Sequence, residues 1–288
     1  MKKTASILSL VLLLTLTACV HDHPEGEGNR EIRLEWQSIH PGELAEIHLW
    51  IFASDGVLTA SETFATLDEA RAARLTLPGG ACTLVAATCP ASHYSFTAKP
   101  GETTPDRLTV TLNDPSSNPP HIQSGVVTVP PQAQTATVIL VRVLSELQFT
   151  IKNVPPEVVR VSATVLNCAR GFCPGTNRLE DVPVTASLGE VVPVDGQAVF
   201  PLRRLMPVVP AAEVRAAAEA AYDTRMEVEM TYAGGETLTF QVEAPPMKNN
   251  GSYNPTAGYE QFTKDVVLTL TGINGWGTSD TVEGEIEM

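Results

Sequence analysis

The chain reads as all-β: two β-sandwiches in tandem with one or two short helices. Three observations predict this. Apolar residues alternate with polar ones at period two in run after run, the runs are short and separated by glycine and proline turns, and only two stretches carry a helical pattern. Period two puts every second side chain on one face of a strand, so such runs are half-buried strands. Many short strands with turn signals between them are the mark of a sandwich.

Taken in order, Ile32, Leu34 and Trp36 alternate with Arg33 and Glu35. In Ile47–Phe52 both alternating sets are apolar or aromatic, which predicts a strand covered on both faces. Ser54-Asp55-Gly56 is a turn. Leu67–Arg74 is a short helix candidate. Arg74–Leu77 leads through Pro78-Gly79-Gly80 into a strand at Thr83–Thr88. Leu108, Val110 and Leu112 alternate with threonines, and Asp114–Pro120 reads as a long loop. Val126–Val129 and Thr135–Leu144 continue the pattern. A second unit starts near Ser145, giving expected domains at 30–145 and 146–288. In it Leu147, Phe149 and Ile151 alternate with polar residues, and Val158–Leu166 and Gln197–Leu202 are strands. Pro210–Tyr222, with proline at its start and an alanine-rich body, is the second helix candidate. Met226–Tyr232 and Thr237–Val242 flank Ala233-Gly234-Gly235 as a hairpin. Ala244–Thr256 is expected to be a loop and Asp265–Thr271 a strand.

The N-terminus carries an export signal. Lys2 and Lys3 precede an apolar run from Ile7 to Leu16, and Leu16-Thr17-Ala18-Cys19 follows. A charged head, a short apolar stretch and small residues before a cut define a secretory signal, here 1–18. The run is too short to span a bilayer, which takes about 20 apolar residues. The last four residues look like a bacterial lipobox: cleavage falls after Ala18, and Cys19 is the site of lipid attachment. Residues 19–29, with His21, Asp22, His23, Glu25 and Glu27, are expected to be a flexible acidic tether. His21 and His23 are read as solvated linker residues, so no metal site is expected.

Composition narrows the partners. The formal charge is −14, and cleavage after Ala18 takes it to about −16 by removing Lys2 and Lys3. Nucleic acid and anionic membrane surfaces reward basic patches, so neither is an expected partner. Beyond Cys19 the chain has Cys82, Cys89, Cys168 and Cys173. Cys168 and Cys173 flank Ala-Arg-Gly-Phe, a short loop able to close on itself, and are the expected disulfide. Cys82 and Cys89 end one strand, where about 3.3 Å per residue separates their Cα atoms by about 23 Å, beyond disulfide reach. They are expected to be buried free thiols. A zinc site is the alternative, but the spacings lack Cys-x₂-Cys pairs.

Nothing points to catalysis. There is no Gly-x-Ser-x-Gly elbow, no His-Glu-x-x-His and no glycine-rich phosphate loop, and His40, His48, His93 and His121 are scattered. Neither an enzyme nor a cofactor is expected. The chain's end has a pattern of its own. Val282, Gly284, Ile286 and Met288 fall on one face of a strand and Glu283, Glu285 and Glu287 on the other. This segment is a candidate donor strand for another subunit's sheet, or it pairs within its own.

Three stretches resemble the FimB-like fimbrial anchor and fimbrillin-related lipoproteins of type V pili. They are Ile47–Gly56, an early strand ending in a turn; Leu77-Pro78-Gly79-Gly80-Ala81-Cys82-Thr83-Leu84-Val85-Ala86; and Val141–Leu147, which enters the second unit. Cys82 stands where the family usually has an aromatic residue, and the 168–173 loop belongs to no pattern of the family. The resemblance implies two transthyretin-like, Greek-key β-sandwich domains, attachment to the outer membrane, surface exposure and assembly with other fimbrial subunits. It also implies that stalk subunits lose a first strand by cleavage after an arginine, for which Arg30 or Arg33 is the candidate, whereas an anchor keeps Ile32–Trp36 as its own strand. The rival expectation is a surface glycan-binding lipoprotein using Trp276 in its glycine-rich loop, while Trp36 and Trp50 are expected in the core.

Overall fold

The computed structural model describes residues 28–38, 40–43, 46–180, 183–206, 224–244, 247, 249–263, 268–269 and 282–283. The signal, the lipobox, most of the tether, the helix expected at 210–222 and Trp276 lie outside them. The described structure is all-β, as expected. The first half holds β1 (Arg30–Ser38), β2 (Ile47–Phe52), β3 (Leu58–Phe64), β4 (Arg74–Leu77), β5 (Cys82–Thr88), β6 (Tyr94–Thr97), β7 (Thr109–Leu112), β8 (Gln123–Val129) and β9 (Thr135–Arg142). The second holds β10 (Ser145–Leu147), β11 (Thr150–Lys152), β12 (Val158–Ala169), β13 (Gly171–Cys173), β14 (Arg178–Leu179), β15 (Pro183–Val191), β16 (Ala198–Val199), β17 (Arg203–Leu205), β18 (Thr224–Tyr232), β19 (Thr237–Ala244), β20 (Ser252–Tyr253), β21 (Pro255–Gly258), β22 (Leu268–Thr269) and β23 (Val282–Glu283).

A seven-stranded sheet, in the order β3-β2-β5-β8-β9-β1-β4, wraps around the first core. Ile32, Leu34 and Trp36 from β1 meet Ile47, Leu49 and Ile51 from β2 and Leu84 and Ala86 from β5 across it. One helix, α1 (Leu67–Ala72), closes the gap between β3 and β4. Thr66 caps it by accepting from the Glu69 N–H, and Glu69 in turn accepts from the Ala65 N–H. Ala70 is buried, and its carbonyl accepts from the Trp36 indole at 3.2 Å.

The sheet folds over because β8 and β9 pair only at Gln123–Arg142 and Ser124–Val141 and then part, β8 staying with β5 and β9 with β1. At the parting point the Ile139 carbonyl lies against the Cα of Gly125, where any Cβ would collide with it. Both neighbours are strand backbone, so neither can yield cheaply. Gly125→Ala is expected to cost about 2–3 kcal/mol, the upper range for overpacking. Gly234→Ala is the control: its Cβ meets open space. Urea denaturation of the two variants checks the difference.

As its sequence predicts, β2 is buried on both faces. Trp50 and Phe52 point away from the first core into a second one, with Val85, Tyr94, Val110, Phe172 and Met206. This second core is roofed by a four-stranded sheet, β14-β13-β7-β6, built from both sides of Ser145: Phe172 of β13 pairs with Val110 of β7. A third core belongs wholly to the second half. There the five-stranded sheet β15-β12-β18-β19-β22 faces two small sheets, β17-β10-β20 and β16-β11-β21-β23. The β18–β19 hairpin appears as expected, pairing Thr224–Thr231 with Thr237–Ala244.

Two expectations about local structure are corrected. The stretch 244–256 is not simply a loop, because Ser252–Tyr253 and Pro255–Gly258 pair in parallel with β10 and β11. That pairing is long-range, and Pro255 is tolerated as the first residue of its strand. The strand expected at 197–202 shrinks to Ala198–Val199.

Since β1 runs parallel to β9, and β9 leads into β10 and β11, the chain climbs from a base to a far end. The base gathers Asn29, Ser54, Asp55 and the 78–81 turn around a shallow cleft of about 270 Å³. The far end carries a more apolar cleft of about 490 Å³ lined by Val154, Pro155, Pro156, Val159, Val192 and Pro193.

Candidate functional site

The residues singled out in the sequence divide into those the structure places and those it does not describe. Ala18, Cys19, His21, His23, Gly284, Ile286, Met288 and Trp276 are outside the described residues. Val282 is placed: with Glu283 it forms β23, parallel to β21 in the register Pro255–Val282 and Thr256–Glu283. Trp36 and Trp50 are core residues, as expected.

The strongest candidate for assembly is β1, the first strand after the tether. It sits inside its sheet, antiparallel to β4 and parallel to β9. Its alternation buries Ile32, Leu34 and Trp36 and exposes Glu31, Arg33, Glu35 and Gln37. Arg30 and Arg33, the two candidate processing sites, both lie within the strand. Arg33 is paired on both sides, with Arg74 and Thr135, and its N–H donates to the Gln134 carbonyl. The Arg30 guanidinium donates to the carbonyls of Gly79 at 3.0 Å, Pro131, and Val129 at 3.5 Å. A protease needs an extended, unpaired chain, so neither arginine is presented to one in this fold.

The expected Cys168–Cys173 disulfide is not formed; both are buried free thiols, as are Cys82 and Cys89. The reason is where the chain crosses between layers. Cys168 is near the end of β12, paired with Val184 and packed in the third core. Ala169 and Phe172 face the second core, and Cys173 is held in another sheet opposite Arg178. What looked like a small loop is the junction of two strands bound to different sheets. Burial pushes the Cys168 thiol up to about 12, so it is neither a nucleophile nor a ready ligand. Among the described residues no group of three or more His, Cys, Asp or Glu could hold a metal.

The structure also assembles a polar cluster that spacing could not reveal. His121 Nε2 lies 2.8 Å from Glu146 Oε1, and Arg204 Nε donates to the same oxygen at 3.2 Å. Gln123 Nε2 donates to the His40 carbonyl, and the Ser38 hydroxyl donates to Gln123 Oε1. The cluster ties residues before β8 to β10 and β17, across the junction of the two halves. A separate histidine, His48, stands between Glu46 and Thr63 and packs on Phe96.

These histidines carry a pH dependence. Burial is the largest cause lowering the pKa of His40, His48 and His121 from 6.5. Arg142 lowers His40 further, Glu46 partly offsets the effect at His48, and the Glu146 hydrogen bond does so at His121. The fold therefore holds neutral imidazole, while the unfolded chain takes up protons below 6.5. This stabilisation is fully present above pH 6.5 and is lost as the pH falls from there toward the lowered folded values. The urea midpoint is expected to drop between pH 7.5 and 5.5, and His121→Gln to flatten that slope.

No family model matches the sequence, and no curated protein matches it. Solved structures do. A candidate adhesin from Bacteroides thetaiotaomicron superposes with a TM-score of 0.56 at 14% identity, over 81% of this chain and 93% of that one. The fimbrial anchor protein Mfa2 from Porphyromonas gingivalis gives 0.54 at 15%, over 74% and 82%. A candidate polysaccharide-binding protein from Bacteroides thetaiotaomicron gives 0.53 at 13%, over 75% and 80%. At these identities the likeness is one of fold.

Proposed function

We propose that the chain is a lipid-anchored cell-surface structural protein, a fimbrial anchor or subunit that assembles by β-strand addition. One observation carries the reading: the strand that follows the tether, β1, is built into the interior of its sheet as the chain's own. A protein tied to a membrane at its base and closed there can only be extended from elsewhere, which is what an anchor requires. The likeness of fold to a fimbrial anchor and to adhesin-like proteins supports the same reading. So does the lipobox, with the outer membrane as the site of attachment through Cys19 and other fimbrial subunits as partners. The division at Ser145 is proposed as two domains sharing the second core. No enzymatic role is proposed.

The contact to a neighbour is proposed to come from the C-terminal segment, whose alternation sets Val282, Gly284, Ile286 and Met288 on one face, and which would exchange its short pairing of Val282–Glu283 with β21 for a place in another subunit's sheet. Backbone hydrogen bonds supply affinity and alternate side chains fill pockets. Deleting Asp280–Met288 is expected to abolish assembly while leaving a folded lipoprotein. Gentle detergent extraction of the tagged protein, run unboiled on a gel with mass spectrometry of each band, is the check. A ladder of exported β-rich subunits, lost in the truncation, supports the reading, and a ladder unchanged by the truncation sinks strand donation by this segment. A lone monomer from the intact chain would favour the second reading, a surface glycan-binding lipoprotein, which the fold shared with a polysaccharide-binding candidate keeps open. Among the described residues no tryptophan or tyrosine is fully exposed, so that reading rests on Trp276.

A further inference from the structure

The ladders of β1 are staggered. Arg30–Arg33 pair with β4 and Arg33–Ser38 pair with β9, so Arg33 is the one residue with a strand on each side. Ordinarily an interior strand is gripped along its length. Here the first part hangs on β4 alone and the last part on β9 alone. Ile32, Leu34 and Trp36 give general adhesion, but any strand of similar pattern entering the same slot would supply that. What distinguishes this strand is at its two ends.

At the far end, the Trp36 indole donates to the Ala70 carbonyl of α1, and the Ser38 hydroxyl donates to Gln123. At the near end, Arg30 does the equivalent with one side chain. Its planar fork reaches the Gly79 carbonyl in the turn after β4, the Val129 carbonyl at the end of β8, and the Pro131 carbonyl in the loop before β9. The two segments it joins belong to opposite layers of the first sandwich, and Cys82 is buried beneath it. The guanidinium thus stands in for the missing β9 pairing where the strand would begin to peel. Only a rigid, multidentate cation can hold three carbonyls on two loops at once; a lysine offers one point charge.

From this geometry we propose that Arg30 is a lock on β1: it keeps the strand in its slot, and so closes the slot to release of its own strand and to entry of another. The lock deepens the assembly reading above and rests on it for its purpose, though not for its test. The peptide bond after Arg30 lies in the ladder, between Arg30–Leu77 and Glu31–Thr76, so the side chain that resembles a processing signal protects the backbone beside it.

The test uses the full chain after signal removal, with Arg30→Gln and Arg30→Lys variants. Arg33 is left intact, so native-state trypsin cleavage after Arg33 reports strand release in every variant. Hydrogen exchange of β1 and β18 amides is followed in parallel. Arg30→Gln is expected to raise Arg33 cleavage and β1 exchange roughly tenfold or more, the loss of one charge-assisted hydrogen bond being enough for that. Exchange in β18 is expected to stay unchanged, and Arg30→Lys to fall between Arg30→Gln and the parent. A rise in β18 exchange equal to that in β1 would mean Arg30 contributes only overall stability. Unchanged Arg33 cleavage would likewise overturn the lock, and so would cleavage of the native parent after Arg30 as fast as in the unfolded chain. Loss of fimbrial partners in cells, by contrast, would overturn the proposed function and leave these measurements standing.

Discussion

A Cys19→Ala chain from which the 1–18 signal has been removed is expected to leave the membrane fraction entirely and to incorporate no labelled palmitate. Among the described residues no helix is long and apolar enough to cross a bilayer. With a formal charge of −14, the chain has no electrostatic attraction to an anionic leaflet. Once the signal is removed, the lipid is the proposed attachment. Each buried CH₂ contributes about 0.8 kcal/mol, so one acyl chain binds marginally while two or three hold firmly. Removing the acceptor thiol removes all of them together, which makes the change one of location rather than of degree. The fold should be untouched, because the described residues begin at Gly28 and the β1 contacts start at Arg30. Fractionation with and without detergent, beside a labelled-palmitate gel, is the measurement. A signal-free Cys19→Ala protein still in the pellet, with its label gone, would place the attachment in another protein or in the β-structure itself.

What the sequence disclosed of this architecture follows the reach of the forces involved. Burial on both faces of β2 is legible because Ile47, Leu49 and Ile51 and then His48, Trp50 and Phe52 each form an unbroken set, and period two is a local property. The β1 alternation and the β18–β19 hairpin are legible for the same reason. The four-stranded roof over the second core is not: β7 and β13 are far apart in the chain, and short runs such as Gly171–Cys173 have no pattern of their own. The separation of Cys168 from Cys173 is not legible either, because sequence proximity says nothing about which sheet each residue joins. The same limit hid the polar cluster, since His121, Glu146 and Arg204 are unremarkable until β10 and β17 are paired. Sequence named Arg30 as a point of interest through its type, but only the staggered ladder and the carbonyls around it show what its side chain does.

Glu146→Ala is expected to cost about 3 kcal/mol and to split unfolding into two steps. Glu146 is 7% exposed, and a single oxygen of its carboxylate serves both His121 and Arg204. Breaking a buried ionic contact on one side costs about 3–5 kcal/mol, because the remaining partners keep their desolvation penalty. The Arg204 side chain is 32% exposed and can recruit water, which places the estimate at the low end. Glu146→Gln retains an acceptor oxygen and should lose clearly less. In the double variant Glu146→Ala with Arg204→Met, the Arg204 cation goes with its partner while the buried Arg142, which also feels the Glu146 charge, remains, so only part of the loss should return, giving a coupling above the error of a double-mutant cycle. The split follows from position. Glu146 sits on β10 between Arg204 of β17 and Ser252 of β20, while His121 comes from the first half, so the carboxylate is a polar tie across the junction. Weakening it leaves the first and third cores intact and reduces what makes them unfold together. Urea curves in a Trp276→Phe background, followed by tryptophan fluorescence, which then reports Trp36 and Trp50 in the first half, and by hydrogen exchange of β18 in the second, should coincide in the parent and separate in Glu146→Ala. Coincident curves in the variant would show that the shared apolar core, with Phe172 and Met206 packed beside Trp50, couples the halves without help from the carboxylate.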